Sequence, residues 1–314
     1  DVWSRFSGGD GAPGWTLEAA GLDMTGFART GAAVVHATHG DPFPRMIWPT
    51  NGTKLAAATM FSLFFGGNDL APRTHVDGRP VQEYLQGHYL AAVQQVAGKL
   101  RGLPCVIGYD SLNEPSPGYI GWPDLAGHEG LLRLGDTPTP FQSMLLGAGH
   151  AQEVEVWSTG LRGIRRAGQR RIDPVGARAW LAGHDCLWRE NGVWDLDGQG
   201  RPRLLRPRHF AEVDGRPVRF HDYLLPFLRR FASARREGVT SVACMLAELS
   251  IRKTKRLPVI RVPSQPGRNS AVMASSTSNT QATKSIDSRM RSGIGGRSRA
   301  ANSWMAVERS GIRR

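Results

Sequence analysis

Asn113 and Glu114 close an apolar run, Val106-Ile107-Gly108-Tyr109-Asp110-Ser111-Leu112, and Pro115 stops it. Pro104 precedes the run and Pro117-Gly118 follow, so it is punctuated at both ends like a short buried strand. A carboxyl at the C-terminal tip of a parallel strand is where barrel enzymes place their acid–base or nucleophilic group. The plain alternative is a strand end with a solvated glutamate, because short motifs recur by chance. An aromatic loop, Pro117-Gly118-Tyr119-Ile120-Gly121-Trp122-Pro123, follows at the same end as the carboxylate.

The elements that would position this run lie before and after it. Val81 to Arg101 carries Val81, Leu85, Tyr89, Val93, Val96 and Leu100 at spacings of four and three, which predicts an amphipathic helix. Gln82, Glu83, Gln86, Gln94, Gln95 and Lys99 are left for solvent, and Gly102 with Pro104 closes the helix. A helix feeding into a strand is one β/α unit. Upstream, Lys54 to Phe65 is rich in Ala, Leu, Met and Phe and predicts a buried helix. Residues 1–30, with Ser7-Gly8-Gly9-Asp10-Gly11-Ala12-Pro13-Gly14, predict a long loop carrying Trp3, Arg5 and Trp15. Gly31 to His36 fits either a strand or a buried turn.

Downstream, Arg162, Arg165, Arg166, Arg170 and Arg171 form a basic cluster that a solvated helix face explains most simply. Trp188 to Arg208 predicts a hairpin, with Val193-Trp194-Asp195-Leu196 and Arg203-Leu204-Leu205 about a turn at Asp197-Gly198-Gln199-Gly200. Asp195 and Asp197 resemble a calcium loop, but the downstream Glu that such a loop needs is absent, so no metal is expected. Phe220, Leu224, Phe227, Leu228 and Phe231 mark one more helix, to about Glu237.

The net charge of +13 points toward nucleic acid until it is located. Residues 249–314 hold 14 Lys and Arg against 2 acidic residues, which leaves 26 against 25 in residues 1–248. The same tail has no Phe, Tyr or His and contains the polar run Ser275-Ser276-Thr277-Ser278-Asn279-Thr280. So little apolar surface cannot offset ordering entropy, and the tail is expected to be disordered. It reads either as a basic arm for nucleic acid or as sequence outside the original frame, and the second is favoured. Lost aromatics and lost periodicity coincide at one boundary near residue 240. A tail whose single aromatic is Trp304 offers no stacking platform, so no nucleic-acid partner is expected.

The longest apolar run, Leu55 to Phe65, is too short to span a bilayer, so no transmembrane segment is expected. The chain starts at Asp1 without a leader pattern and reads as a fragment or processed product. Cys105, Cys186 and Cys244 are scattered and odd in number, which favours free thiols in a reducing compartment such as the cytoplasm. Asn51-Gly52-Thr53 fits a glycosylation acceptor but is expected to be an unmodified turn.

With these features in place, the chain resembles glycoside hydrolase family 5. The similarity is greatest to the branch of endoglycoceramidase-like enzymes and fungal β-glucosidases of steryl glucosides and glucosylceramide. The resemblance rests on Asp1-Val2-Trp3-Ser4-Arg5-Phe6-Ser7-Gly8-Gly9-Asp10-Gly11-Ala12-Pro13 and on Thr59-Met60-Phe61-Ser62-Leu63-Phe64-Phe65-Gly66-Gly67. It continues in Gly108 to Pro115, Gly118-Tyr119-Ile120-Gly121 and His221-Asp222-Tyr223-Leu224-Leu225-Pro226-Phe227. It covers about residues 1–240. It implies an α/β fold, a partial (β/α)8 TIM barrel over 1–240 followed by the basic tail over 241–314.

The resemblance further implies a retaining β-glycosidase that needs no cofactor and acts on a carbohydrate or glycolipid substrate. Glu114 would be the general acid/base, and Asn113 would bind the sugar 2-hydroxyl. Retaining enzymes set two carboxyl groups roughly 5–5.5 Å apart, one protonating the leaving oxygen and the other attacking the anomeric carbon. The Gly-Glu-Phe-Gly-like segment that would carry the nucleophile does not occur in this chain, and no residue is assigned that role. A catalytically dead remnant with weak carbohydrate binding is the competing expectation. Trp3, Trp48 and Trp122 could stack on a sugar or an apolar aglycone, or pack the core or rim. His36 and His39 could line the site, or serve structure.

Overall fold

A mostly apolar helix runs through the centre of the described core. The structure is a computed structural model that describes residues 12–34, 51–106, 108–130, 133–160 and 163–236. It opens with short helices α1 (Gly14–Ala19) and α2 (Phe27–Thr30), with a 3-10 turn at Met24–Gly26 between them. The long loop expected over residues 1–30 is therefore corrected for its described part. Leu17, Leu22 and Phe27 are fully buried, and that burial folds residues 14–30 onto the core. Gly31 to Val34 is the buried-turn alternative rather than strand.

The central helix α3 (Leu55–Leu70) is buried on nearly every side, the pattern of a helix lying inside a core. It bends at Gly66, where φ and ψ leave the helical region at -126° and 16°. A minimal hairpin, β1 (His75–Val76) with β2 (Arg79–Pro80), then turns the chain into α4 (Val81–Lys99). Both helices fall where the sequence places them. The buried face of α4 is shifted, however. Gln86, expected in solvent, is buried because its Nε2 donates to Phe64 O (2.7 Å) and its Oε1 accepts from Arg230 (3.0 Å). Val96, expected on the apolar face, is 53% exposed.

The strand expected over 106–112 is the main correction. Residue 106 and residues 108–115 are irregular and pair with no strand. A parallel strand exists only through hydrogen-bonded neighbours, and every sheet among the described residues is an antiparallel ribbon. One is the three-stranded order β3 (Gly135–Thr137), β4 (Gln152–Gly160), β5 (Gly163–Ile172). Four arginines of the cluster expected on a helix, Arg165, Arg166, Arg170 and Arg171, lie on β5, with Arg170 opposite Val154 and Arg165 opposite Ser158, and Arg162 lies outside the described residues. The glycines Gly160 and Gly163 that pair at the hairpin end close this turn.

Between β3 and β4, helix α5 (Pro140–Gly147) starts with a reciprocal cap. Thr139 Oγ1 accepts from Gln142 N (3.2 Å), and Gln142 Oε1 accepts from Thr139 N (3.0 Å). After the one-turn helix α6 (Leu187–Glu190), the expected hairpin forms as β6 (Trp194–Leu196) with β7 (Pro202–Leu204). Its turn is closed by Asp197, whose carboxylate accepts from Gln199 N and Arg201 N, both at 2.9 Å. A further short ribbon, β8 (Glu212–Val213) with β9 (Arg216–Pro217), leads to helix α7 (Phe220–Arg236), also as expected.

Two aromatic nuclei hold these elements. Phe227 of α7 meets Phe64 and Phe65 of α3 edge-on at 5.0 and 5.5 Å, with Tyr89 of α4 beside them. Trp188, Phe210 and Tyr119 form the second, with ring centroids 4.8 to 6.2 Å apart. Such edge-to-face pairs add roughly 0.5–1.5 kcal/mol each beyond the area they bury. The tail over 241–314 lies outside the described residues.

Candidate active site

Asn113 and Glu114 are both exposed, in a loop that is held at each end by a different helix. Upstream, the Tyr89 hydroxyl of α4 donates to Ser111 O. Burial, and secondarily Asp110, push the Tyr89 phenol up to about 12, so it remains a donor at any pH near neutrality. Tyr109 and Leu112 are partly buried and pack on the core between these anchors.

Downstream, the aromatic loop is clamped to α3. Tyr119 N donates to Ser62 Oγ (2.9 Å), and the Tyr119 ring is fully buried among Trp122, Trp188 and Phe210. Gly118 takes φ +60° and lies so near α3 that a Cβ there would sit 2.5 Å from Ala58 O. Only glycine combines that conformation with that approach. Gly121 N donates to Phe210 O (2.7 Å), tying the far side of the loop to the second aromatic nucleus.

Glu114 itself has φ +42° and precedes Pro115. Positive φ is uncommon for a residue with a Cβ, and a following proline narrows the choices further. Backbone held in such a region persists where its surroundings over-determine it, and functional sites are where it concentrates. An acid/base carboxyl needs burial or a neighbouring carboxylate, and the described residues leave Glu114 exposed.

Of the six residues singled out for the site, Asn113, Glu114 and Trp122 share the loop over 108–122. Trp122 is half-buried, with Nε1 donating to Gly127 O (3.3 Å) and its ring edge-on to Tyr119 at 6.5 Å, so part of it is committed to packing. Trp3, His36 and Trp48 lie outside the described residues, as does His39. Sequence reasoning missed Thr59 and Ser62. They sit three residues apart on one face of α3, where Thr59 Oγ1 accepts from Trp188 Nε1 (3.0 Å) and Ser62 Oγ from Tyr119 N (2.9 Å). Two hydroxyls within the apolar run Leu55 to Phe65 were the available signal.

Other chemistry-bearing groups resolve into structural roles. Asp195 accepts from Arg189 Nε (2.7 Å), which holds its carboxyl below the usual range, and Asp197 is tied to its own turn. No cluster of three metal-ligating side chains occurs among the described residues. A shallow cleft of about 480 Å³ is lined by Arg178, Arg189, Asp185, His150, His184 and Trp194. Asp185 bridges its two arginines at 3.3 and 2.7 Å, and Asp195 also pairs with Arg189 at 2.7 Å, so two carboxylates balance two guanidinium groups there. Asn51 is fully buried, its Oδ1 accepting from Val34 N (3.2 Å), so the Asn-Gly-Thr acceptor is closed to modification.

Comparison with known proteins gives the chain its relatives. It is 40% identical over 262 residues to a glucosylceramidase of Rhizopus delemar and 42% identical over 270 residues to one of Aspergillus fumigatus. It is 38% identical over 255 residues to the ergosteryl-β-glucosidase of Saccharomyces cerevisiae. Its structure superposes on the crystal structure of Cryptococcus neoformans sterylglucosidase 1 with tris at a TM-score of 0.69 and 37% identity, over 76% of this chain and 38% of that one. The chain is homologous to these fungal glucosidases. The matches cover 81, 77 and 68% of this chain but only 38, 35 and 33% of the three curated relatives, so the chain spans about a third of their length. No family model matches the chain. Its mixed α/β character is the one it shares with the sterylglucosidase. No helix among the described residues is long and apolar enough to cross a membrane.

Proposed function

We propose that this chain carries the acid/base part of a retaining β-glucosidase of glycoside hydrolase family 5, acting on glucosides with a lipid-like or steroid aglycone. The observation that carries the reading is the superposition on sterylglucosidase 1 together with 36–42% identity to glucosidases of four fungi. In this reading residues 1–240 contribute the central part of a (β/α)8 barrel. Glu114 protonates the glycosidic oxygen as the bond to the anomeric carbon breaks, then takes a proton from the water that releases the sugar. Asn113 holds the 2-hydroxyl, whose hydrogen bond strengthens as the ring flattens. Trp122, with Trp3, His36 and Trp48, lines the sugar or aglycone side. The attacking carboxylate has no assigned residue.

The irregular course of residues 108–115 and the exposure of Glu114 support the second reading, a non-catalytic remnant that at most binds carbohydrate weakly. Hydrolysis of an aryl β-glucoside by the purified chain separates the two. The first reading expects turnover, and loss of it on natural, poor-leaving-group glucosides in Glu114→Gln. Turnover by Glu114→Gln equal to wild type on those glucosides would refute the assignment of Glu114. No turnover by the wild-type chain, with measurable glucose or glucosylceramide binding, supports the remnant.

A further inference from the structure

We infer that Ser62 of α3 and Tyr89 of α4 are positioning residues that fix Glu114 in space, an inference resting on the acid/base reading of Glu114. The two anchors bracket the carboxylate closely. Ser111, held by the Tyr89 hydroxyl, lies three residues before it, and Gly118-Tyr119, held by Ser62, begin four residues after it. The downstream spacer is Pro115-Ser116-Pro117, in which two of three residues have φ locked by the ring. Ser116 adds a local closure, its Oγ accepting from Gly118 N (3.2 Å). The span is short and stiff, so a displacement at Tyr119 is carried to Glu114 instead of being absorbed.

The anchors are themselves packed into the core. Ser62 is fully buried in the central helix, and Gly118 packs against that helix at a distance no side chain would allow. Tyr89 sits 5.7 Å from Phe64 and 6.0 Å from Phe227, in the first aromatic nucleus. The positive φ of Glu114 is the strain that such a two-point clamp would hold in place. Both residues act through backbone groups, and neither is placed to touch substrate.

The test places a nitroxide label at position 114 of the full chain, as Glu114→Cys in a background of Cys105→Ser and Cys244→Ser. Cys186 stays in place because its thiol is fully buried. A second chain labelled at Arg216→Cys, on the β8–β9 ribbon, reports general loosening. Ser62→Ala is expected to shorten the rotational correlation time at 114 severalfold while leaving the 216 label unchanged, and Ser62→Thr, which keeps the hydroxyl, to restore it. Tyr89→Phe, which removes one oxygen from a half-buried site, gives the same result where Ser62→Ala does not fold. Equal spectra at 114 in wild type and both variants overturn the inference, as does equal loosening at both labels.

Turnover of a natural, poor-leaving-group β-glucoside, for which protonation of the leaving oxygen limits the rate, supplies the second readout, in chains that retain Glu114. Ser62→Ala should lower kcat about tenfold with KM within about twofold, the mark of a misplaced group whose misplacement leaves ground-state binding intact. A tenfold rise in KM with kcat unchanged overturns the positioning role. Absence of turnover in the wild-type chain defeats the functional reading, while the label still decides whether the clamp holds position 114.

Discussion

Replacing Gly118 with alanine should damage this protein far more than any other one-carbon addition to the same region. Two costs combine. At φ +60° an L-residue is disfavoured by roughly 1–2 kcal/mol. The added Cβ would also stand 2.5 Å from Ala58 O, 2.7 Å from Ser62 Oγ and 2.9 Å from Ser62 N. Two of those three atoms are backbone of the buried helix α3 and cannot swing aside, so an overpacking cost of about 1–3 kcal/mol follows. The expected loss is about 2–5 kcal/mol, which at a denaturant slope of about 2 kcal/mol per molar lowers the urea midpoint by about 1–2.5 M. The matched control is Gly98→Ala, in α4, where a Cβ meets nothing within 4 Å. There alanine should stabilise by about 0.5–1 kcal/mol through helix propensity. Urea unfolding followed by tryptophan fluorescence measures both, since Trp122 and Trp188 flank the clamped tyrosine. A Gly118→Ala midpoint within about 0.3 M of wild type would mean that the aromatic loop does not lie against α3 as described.

Two more outcomes follow from buried titratable groups. His209 is largely buried against Phe210, and its Nε2–H donates to Leu70 O (2.8 Å); burial, outweighing that bond, holds its pKa below 6.5. The unfolded chain therefore binds a proton that the folded chain refuses, and the stability His209 contributes is present above about pH 6.5 and lost as pH falls below it. Thermal unfolding between pH 7.5 and 5 should show a falling melting temperature, and His209→Gln should flatten part of that slope; an unchanged slope rules the mechanism out. Burial pushes the Cys186 thiol up to about 11, while Cys105 is exposed. A maleimide at pH 7.5, read by peptide mapping, should modify Cys105 within minutes and Cys186 only in denaturant. Rapid labelling of Cys186 in the native chain would contradict the packing around Trp188 and Trp194.

What the sequence disclosed was whatever local burial decides. The helix was legible over Lys54 to Phe65, though not its last turn to Leu70, because a run of Ala, Leu, Met and Phe has no solvent face to offer. The turn at Asp197 to Arg201 was legible because its carboxylate bonds within its own few residues. Gln86 was misread because a polar letter does not say that its partners, Phe64 O and Arg230, wait inside. The arginines of 162–171 were misread for a different reason. Along β5 no residue is fully buried and no apolar residue recurs at alternate positions; the alternation lies on its partner β4, where Val154 and Val156 recur and Val154 is fully buried. Without a buried face, neither period of two nor period of 3.6 is written into the residues.

The Asn113–Glu114 run joins these two cases. Its apolar letters, Val106, Leu112 and their neighbours, predict a strand correctly only if parallel partners lie on both sides, because a parallel strand owes its form to the sheet. Its carboxylate position owes nothing to pairing within this chain. It is set by Tyr89 on one helix and Ser62 on the next, through bonds to Ser111 and Tyr119. The local clamp on Glu114 can therefore form where the strand that sequence reasoning expected does not. That separation gives the two functional readings different consequences. A clamp that forms without an enclosing sheet delivers a well-placed but exposed carboxyl, good for orienting a sugar and poor for protonating a leaving group. If the wild-type chain turns over a natural β-glucoside and Glu114→Gln does not, the clamp is a working half of the catalytic pair; if the chain binds glucose without turnover, the clamp only orients a sugar.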